Sequence, residues 1–182
     1  MDNRSADLAI VLPCRPGQED AVYRVIASLS LQTDRRFVIY AFFEEGDGAM
    51  RALLEDHAEG GIDLLLRPVP ILPDPALSPL PERCRFYAGS LRRESFVNFS
   101  DGRTLYNPDC IRAFQKRLAG HRRVEEFHWR FSLRPAPKLS GCARQSLRVL
   151  LGWEQLPLCA KVFRLSELER LLTEEDQPEG NL

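Results

Sequence analysis

Between Leu8 and Leu66 the chain alternates three short apolar runs with two stretches of helical periodicity, and few folds accept that pattern. Leu8-Ala-Ile-Val-Leu-Pro13 is continuous and apolar, as a central parallel strand buried on both faces requires. Pro13, Pro16 and Gly17 break the run into a loop. From Glu19, the apolar residues Val22, Val25, Ile26 and Leu29 fall on one helical face, which Gln32-Thr33-Asp34 closes. Phe37–Phe43 is a second buried run, and Glu44-Glu-Gly-Asp-Gly48 forms an acidic turn at its end. A second helical face (Met50, Leu53, Leu54, His57) and Gly60-Gly61 lead to a third run at Ile62–Leu66. Short connections between such units predict a parallel sheet with right-handed crossovers.

The chain has 182 residues, which suits one domain, 1–182, with a core that needs no staples. A net charge of −1 gives no reason to expect nucleic acid or an anionic membrane as partner. Arginines nevertheless gather at Arg83, Arg85, Arg92, Arg93 and Arg103, then at Arg122, Arg123 and Arg130. Such a cluster is either a solvated surface or a phosphate-facing rim. The five cysteines (Cys14, Cys84, Cys110, Cys142, Cys159) lack the close spacing of a zinc site. They read as small core residues in a reducing compartment. With no apolar signal core and no run of membrane-spanning length, the expectation is a cytoplasmic protein.

Residues 68–81 carry six of the 13 prolines and predict an extended surface loop or lid. A helix with Cys84, Tyr87, Ala88 and Leu91 on one face should follow. Phe96–Phe99 then predicts a buried strand that delivers Asp101 to a tight turn at Gly102. Asn107 and Pro108 supply the N-cap and first-turn signals of the next helix, with Ile111, Phe114 and Leu118 inward and Gly120 as its stop. Further strands are expected over Glu125–Leu133 and Leu158–Phe163, with a loop at Pro135–Gly141 and a short apolar piece at Leu147–Leu151. Ser166-Glu-Leu-Glu169 starts a last helix with a capping box, and 174–182 reads as a flexible tail.

A strand ending in Asp-Gly is how an α/β fold places a carboxylate at the mouth of a crevice, where it holds a metal or a sugar-phosphate. The same dipeptide also caps a loop by accepting hydrogen bonds from its own backbone. Arg103, two residues on, pairs with Asp101 or contacts phosphate. His57, His121 and His128 have no nucleophile at catalytic spacing, and Gly46/Gly48 make no dinucleotide fingerprint.

Four passages resemble the family 2 glycosyltransferases. LAIVLPCRPGQEDAVYRVIASLSLQT (8–33) is similar to the family's opening strand, Pro-containing loop and helix ending in Ser-Leu-x-x-Gln-Thr. FVIYAFFEEGDG (37–48) stands where the family has a strand and an Asp-Asp-Gly turn. RFYAGSLRRESFVNFSDGRTLYNPDCI (85–111) is similar to the stretch holding the metal-binding Asp-x-Asp and a Pro-led helix. LCAKVFRLSELERL (158–171) looks like the later strand and Arg-x-x-x-Leu helix start.

The resemblance implies a three-layer αβα domain of the GT-A, Rossmann-like type with a mainly parallel central sheet. It implies a nucleotide-diphosphate sugar as ligand, contacted by Pro13, Cys14, Arg15, Glu44, Glu45, Arg85, Ser100 and Arg103. Glu44 or Glu45 would accept from a base edge, and Asp101 would hold Mg²⁺ or Mn²⁺ at the diphosphate. Glu175 or Asp176 would supply the general base for an acceptor hydroxyl. The chain departs from the family in placing Arg103 at the second metal acid, Cys14-Arg15 at an aromatic-Asn pair, and Phe86 at a common Asn. Two functions are therefore implied. One is sugar transfer to an acceptor that could be membrane-associated. The other is a catalytically inactive relative that binds a protein partner in an assembly.

Overall fold

The computed structural model describes residues 8–78, 80–91, 94–120, 126–128, 161–166 and 168. Its elements are β1 (Leu8–Cys14), α1 (Glu19–Ser30), β2 (Phe37–Glu44), α2 (Gly48–Glu59), β3 (Leu64–Val69), α3 (Leu80–Ala88), β4 (Phe96–Phe99), α4 (Cys110–Gly120), β5 (Glu126–His128) and β6 (Lys161–Arg164). Among the described residues the strands form one six-stranded sheet in the order β3-β2-β1-β4-β6-β5. β1 pairs in parallel with both β2 and β4, and β2 in parallel with β3. β6 runs antiparallel to β4 and to β5.

Side-chain alternation explains why the central strands are apolar without interruption. Leu8, Ile10, Leu12 and Cys14 of β1 point to one face with Ile39, Ala41 and Phe43 of β2, and pack there on α1, α2 and α4. Ala9, Val11, Val38, Tyr40 and Phe42 point to the other face and meet Cys84 and Tyr87 of α3. A strand buried on both faces gains no stability from polar positions, and each large side chain fully buried is worth about 1.5–3 kcal/mol. This is the three-layer arrangement expected.

The Ser-Leu-x-x-Gln-Thr ending of α1 has a structural explanation. Ser28 Oγ accepts from Tyr106 N at 3.0 Å, and Gln32 Nε2 donates to Asn107 O at 2.8 Å. Gln32 Oε1 accepts from Ile111 N at 3.3 Å, while Thr33 N donates to Pro108 O at 3.0 Å. The motif clamps the end of α1 onto the start of α4. Gln32 is buried, so its amide and carbonyl each need the partner they find.

Several boundaries differ from the expectation, among them the end of α3 at Ala88, which leaves Leu91 outside the helix. β3 starts later and runs through Arg67-Pro68-Val69, because it is an edge strand in which a missing N–H is tolerated. The proline-rich connection is correspondingly shorter, and α3 begins at Leu80. α4 begins at Cys110; Asn107 Oδ1 accepts from Asp109 N in a turn ahead of it. β5 falls within the stretch expected, while β6 runs from Lys161 to Arg164, one residue past the expected end at Phe163. The loop at 135–141, the apolar piece at 147–151 and the tail at 174–182 lie outside the described residues.

Candidate functional site

The sheet order sets where a ligand can bind. From β1 the chain moves outward through α1, β2, α2 and β3 on one side, then returns over the opposite face in α3 to place β4 on the other side of β1. Such a reversal leaves a crevice outside the C-terminal ends of the two strands between which it occurs. Here those strands are β1 and β4, and the loops that leave them are Cys14–Gln18 and Ser100–Thr104.

The loop after β4 touches the end of β1. A Cβ added to Gly102 would lie 3.0 Å from Pro13 O, and Gly102 has a φ of +73°. Only glycine takes that conformation freely and leaves room for the β1 loop. Ser100 continues the pairing, its N–H donating to Val11 O at 2.8 Å. Its hydroxyl is buried and accepts from Gly102 N at 3.1 Å. Asp101 Oδ1 accepts from Arg103 N at 2.9 Å and Thr104 N at 2.7 Å, and Oδ2 accepts from Thr104 Oγ1 at 2.7 Å. The carboxylate thus organises its own turn while remaining at the surface.

On the other flank, Glu44 closes β2 level with the end of β1, since Phe43 pairs with Cys14. β4 and β2 are two strand spacings apart, roughly 10 Å, so the Asp101 turn and the Glu44-Glu45 corner flank the end of β1. Glu45 is exposed, and Glu44 Oε1 accepts from Leu72 N at 3.4 Å. The Arg15 guanidinium donates to Pro73 O. The proline-rich segment is therefore fastened across the ends of β1 and β2 by two of the residues expected to face the ligand. Arg85 lies on α3, away from the β4 turn in sequence but on the helix that covers the second face.

Two residues that the sequence reading did not assign to the site hold its unmatched polar atoms. Asp47 caps α2, with Oδ1 accepting from Met50 N at 2.9 Å, yet its Oδ2 is buried without a hydrogen-bond partner. Arg83 Nε is likewise buried, and neither atom has a partner among the described residues. Asp47 lies near Cys14, and Arg83 near Tyr87. Burial pushes the Cys14 thiol far above its ordinary range, and the negative charge of Asp47 adds to this. Burial also raises the Tyr87 phenol, which the guanidinium groups of Arg15 and Arg83 partly offset. Tyr87 packs edge-on against Phe42 at 4.9 Å and lies 6.5 Å from Phe99, above the ends of β2 and β4. The four-residue step from Arg83 to Tyr87 along one helical face was the available signal. For Asp47 it was the three-residue step to Met50, the spacing of a helix cap.

The residues present fit a divalent cation poorly. Among the described residues no group of three or more His, Cys, Asp or Glu side chains is placed to hold a metal. Mg²⁺ and Mn²⁺ call for several oxygen ligands, and the residue two beyond Asp101 brings a positive charge instead. Glu175 and Asp176 lie outside the described residues. No helix among the described residues is long and apolar enough to cross a membrane.

No family model and no curated protein matches the sequence. Solved structures do match the fold. TarS 1–349 from S. aureus aligns with a TM-score of 0.63 at 12% identity, over 93% of this chain and 49% of that one. The same protein in complex with UDP-GlcNAc gives a TM-score of 0.64 at 12% identity, over 93% and 47%. The mannosyltransferase PcManGT from Pyrobaculum calidifontis, in complex with GDP-Man and Mn²⁺, gives 0.62 at 14% identity, over 92% and 47%. The chain spans about half the length of these structures. Its fold is that of the GT-A glycosyltransferases.

Proposed function

We propose that this domain binds a nucleotide-diphosphate sugar in the crevice between the β1 and β4 loops, in a glycosyltransferase-like role. The observation that carries the reading is the convergence of three loops at the parallel strands' C-terminal ends: Pro13–Arg15, Glu44–Asp47 and Ser100–Thr104. A crevice at a strand-order reversal is the usual nucleotide position in open α/β sheets. UDP-GlcNAc and GDP-Man in two structural neighbours indicate the ligand class.

In this reading Glu44, Glu45 and Asp47 face the base and ribose, and the arginines face the diphosphate. A carboxylate accepts from the N–H edge of uracil or guanine, whereas guanidinium groups match phosphate oxygens in pairs. The tethered segment at Leu72–Pro73 walls the base end. Where transfer occurs, the diphosphate is the leaving group, and a general base removes the acceptor hydroxyl proton; Glu175 and Asp176 are the residues proposed for that step. A reducing, cytoplasmic setting is supported by the free thiols of Cys14, Cys84 and Cys110.

Thermal-shift titration with UDP-, GDP- and CDP-sugars in the presence of Mn²⁺ tests the reading. A concentration-dependent rise in Tm for one nucleotide class is the expected result, since a ligand that binds only the folded state stabilises it. No rise with any of them would contradict it.

A further inference from the structure

We propose that the diphosphate is held by guanidinium groups without a divalent cation, with Arg83 and Arg103 supplying the charges that a metal would otherwise bring. This rests on the nucleotide-diphosphate reading above.

The β4 turn offers one carboxylate, and its oxygens already accept three hydrogen bonds from Arg103 and Thr104 of the same turn. Arg103, two residues beyond Asp101 in the same turn, is exposed, and its positive charge opposes a cation drawn to that carboxylate. Arginine stays charged at any pH a protein experiences, so this repulsion cannot be titrated away. What disfavours a cation favours an anion. Gly102 of the same turn lies against Pro13 O, which brings the backbone of Arg103 to the end of β1.

Arg83 provides an independent observation. Its Nε is buried and finds no acceptor among the described residues, a condition that protein interiors rarely leave standing. The residue sits one turn before Tyr87 on α3. That helix follows β3 in a crossover to a parallel strand, so its first turn lies toward the C-terminal edge of the sheet. Arg83 is therefore nearer the crevice than Tyr87, whose ring already touches Phe42 and lies near Phe99. The Arg83 side chain as a whole is only half-buried, so its outer N–H groups are open to an oxyanion at the crevice. Two guanidinium groups, one on α3 and one on the β4 turn, approximately match the charge of a nucleoside diphosphate and offer paired donors to its oxygens.

The test is isothermal titration of the full chain with UDP and with GDP, in EDTA and again in Mn²⁺. The expected result is binding of comparable affinity in both buffers, with Arg83→Gln and Arg103→Gln each weakening it about tenfold in EDTA. Binding that appears only with Mn²⁺, or is unchanged in both variants, would overturn the inference while leaving the nucleotide reading intact. No binding in either buffer would remove both. Arg103→Asp, at an exposed position, guards against misfolding at Arg83. It should convert metal-indifferent binding into binding that Mn²⁺ strengthens, and an identical metal response before and after the substitution would count against the inference.

Discussion

The guanidinium of Arg15, just beyond β1, donates to the carbonyl oxygen of Pro73, 58 residues further along the chain. Together with the Glu44–Leu72 contact it fastens the proline-rich segment as a wall across the ends of β1 and β2. Arg15→Ala should free that wall. Loss of a charged hydrogen bond costs about 1.5–3 kcal/mol, less here because the side chain is only partly buried. Limited proteolysis should show faster cleavage between residues 70 and 79, with the sheet core still resistant. Unchanged cleavage would mean that the prolines alone hold the segment.

Gly102→Ala should damage the β4 turn twice over. The residue adopts a positive φ, and the new methyl would press on Pro13 O at 3.0 Å. An expected loss of about 1–3 kcal/mol would be measured by urea unfolding. Nucleotide affinity should fall as well, because the Asp101–Thr104 turn and the β1 loop could no longer meet.

Gln32→Ala should be among the most damaging polar substitutions. It removes the acceptor for Ile111 N and the donor to Asn107 O, both at a buried position. The expected cost is about 2–4 kcal/mol, read from chemical denaturation. Because the clamp lies on the α1–α4 face, nucleotide affinity of the folded fraction should not change.

The fold was legible where hydrophobic pattern alone decides it. Leu8–Leu12 and Phe37–Phe43 are buried throughout, and a run with no polar position can only be an interior strand. The pattern failed at Pro68, which breaks an interior strand but not the edge strand β3, and edge position is a tertiary fact. Within the candidate site, the positions of Asp101 and the Glu44-Glu45 corner at strand ends were legible because turns after strands are conspicuous. The orphaned atoms of Asp47 and Arg83 were not, because burial without a partner emerges only once α2 and α3 are packed.

Thiol chemistry offers a pH-dependent check. Burial pushes the Cys110 thiol up to about 12 from an ordinary 9.0, and raises Cys14 further. Both folded values exceed the unfolded ones, so the associated stability is complete below pH 9 and is lost as pH rises above it. In that range the unfolded chain binds fewer protons than the native one, and each thiol lowers stability by about 1.4 kcal/mol per pH unit. Peptide mapping after iodoacetamide treatment at pH 8 should find Cys14 and Cys110 unmodified in native protein and modified in urea.

The most direct test of the account is hydrogen–deuterium exchange of the full chain with and without UDP or GDP. Slower exchange confined to peptides covering Pro13–Gln18, Glu44–Gly48 and Ser100–Thr104 is the predicted result, because those loops meet at the reversal in strand order. Protection on the α1–α4 face instead, or none at saturating nucleotide, would contradict it.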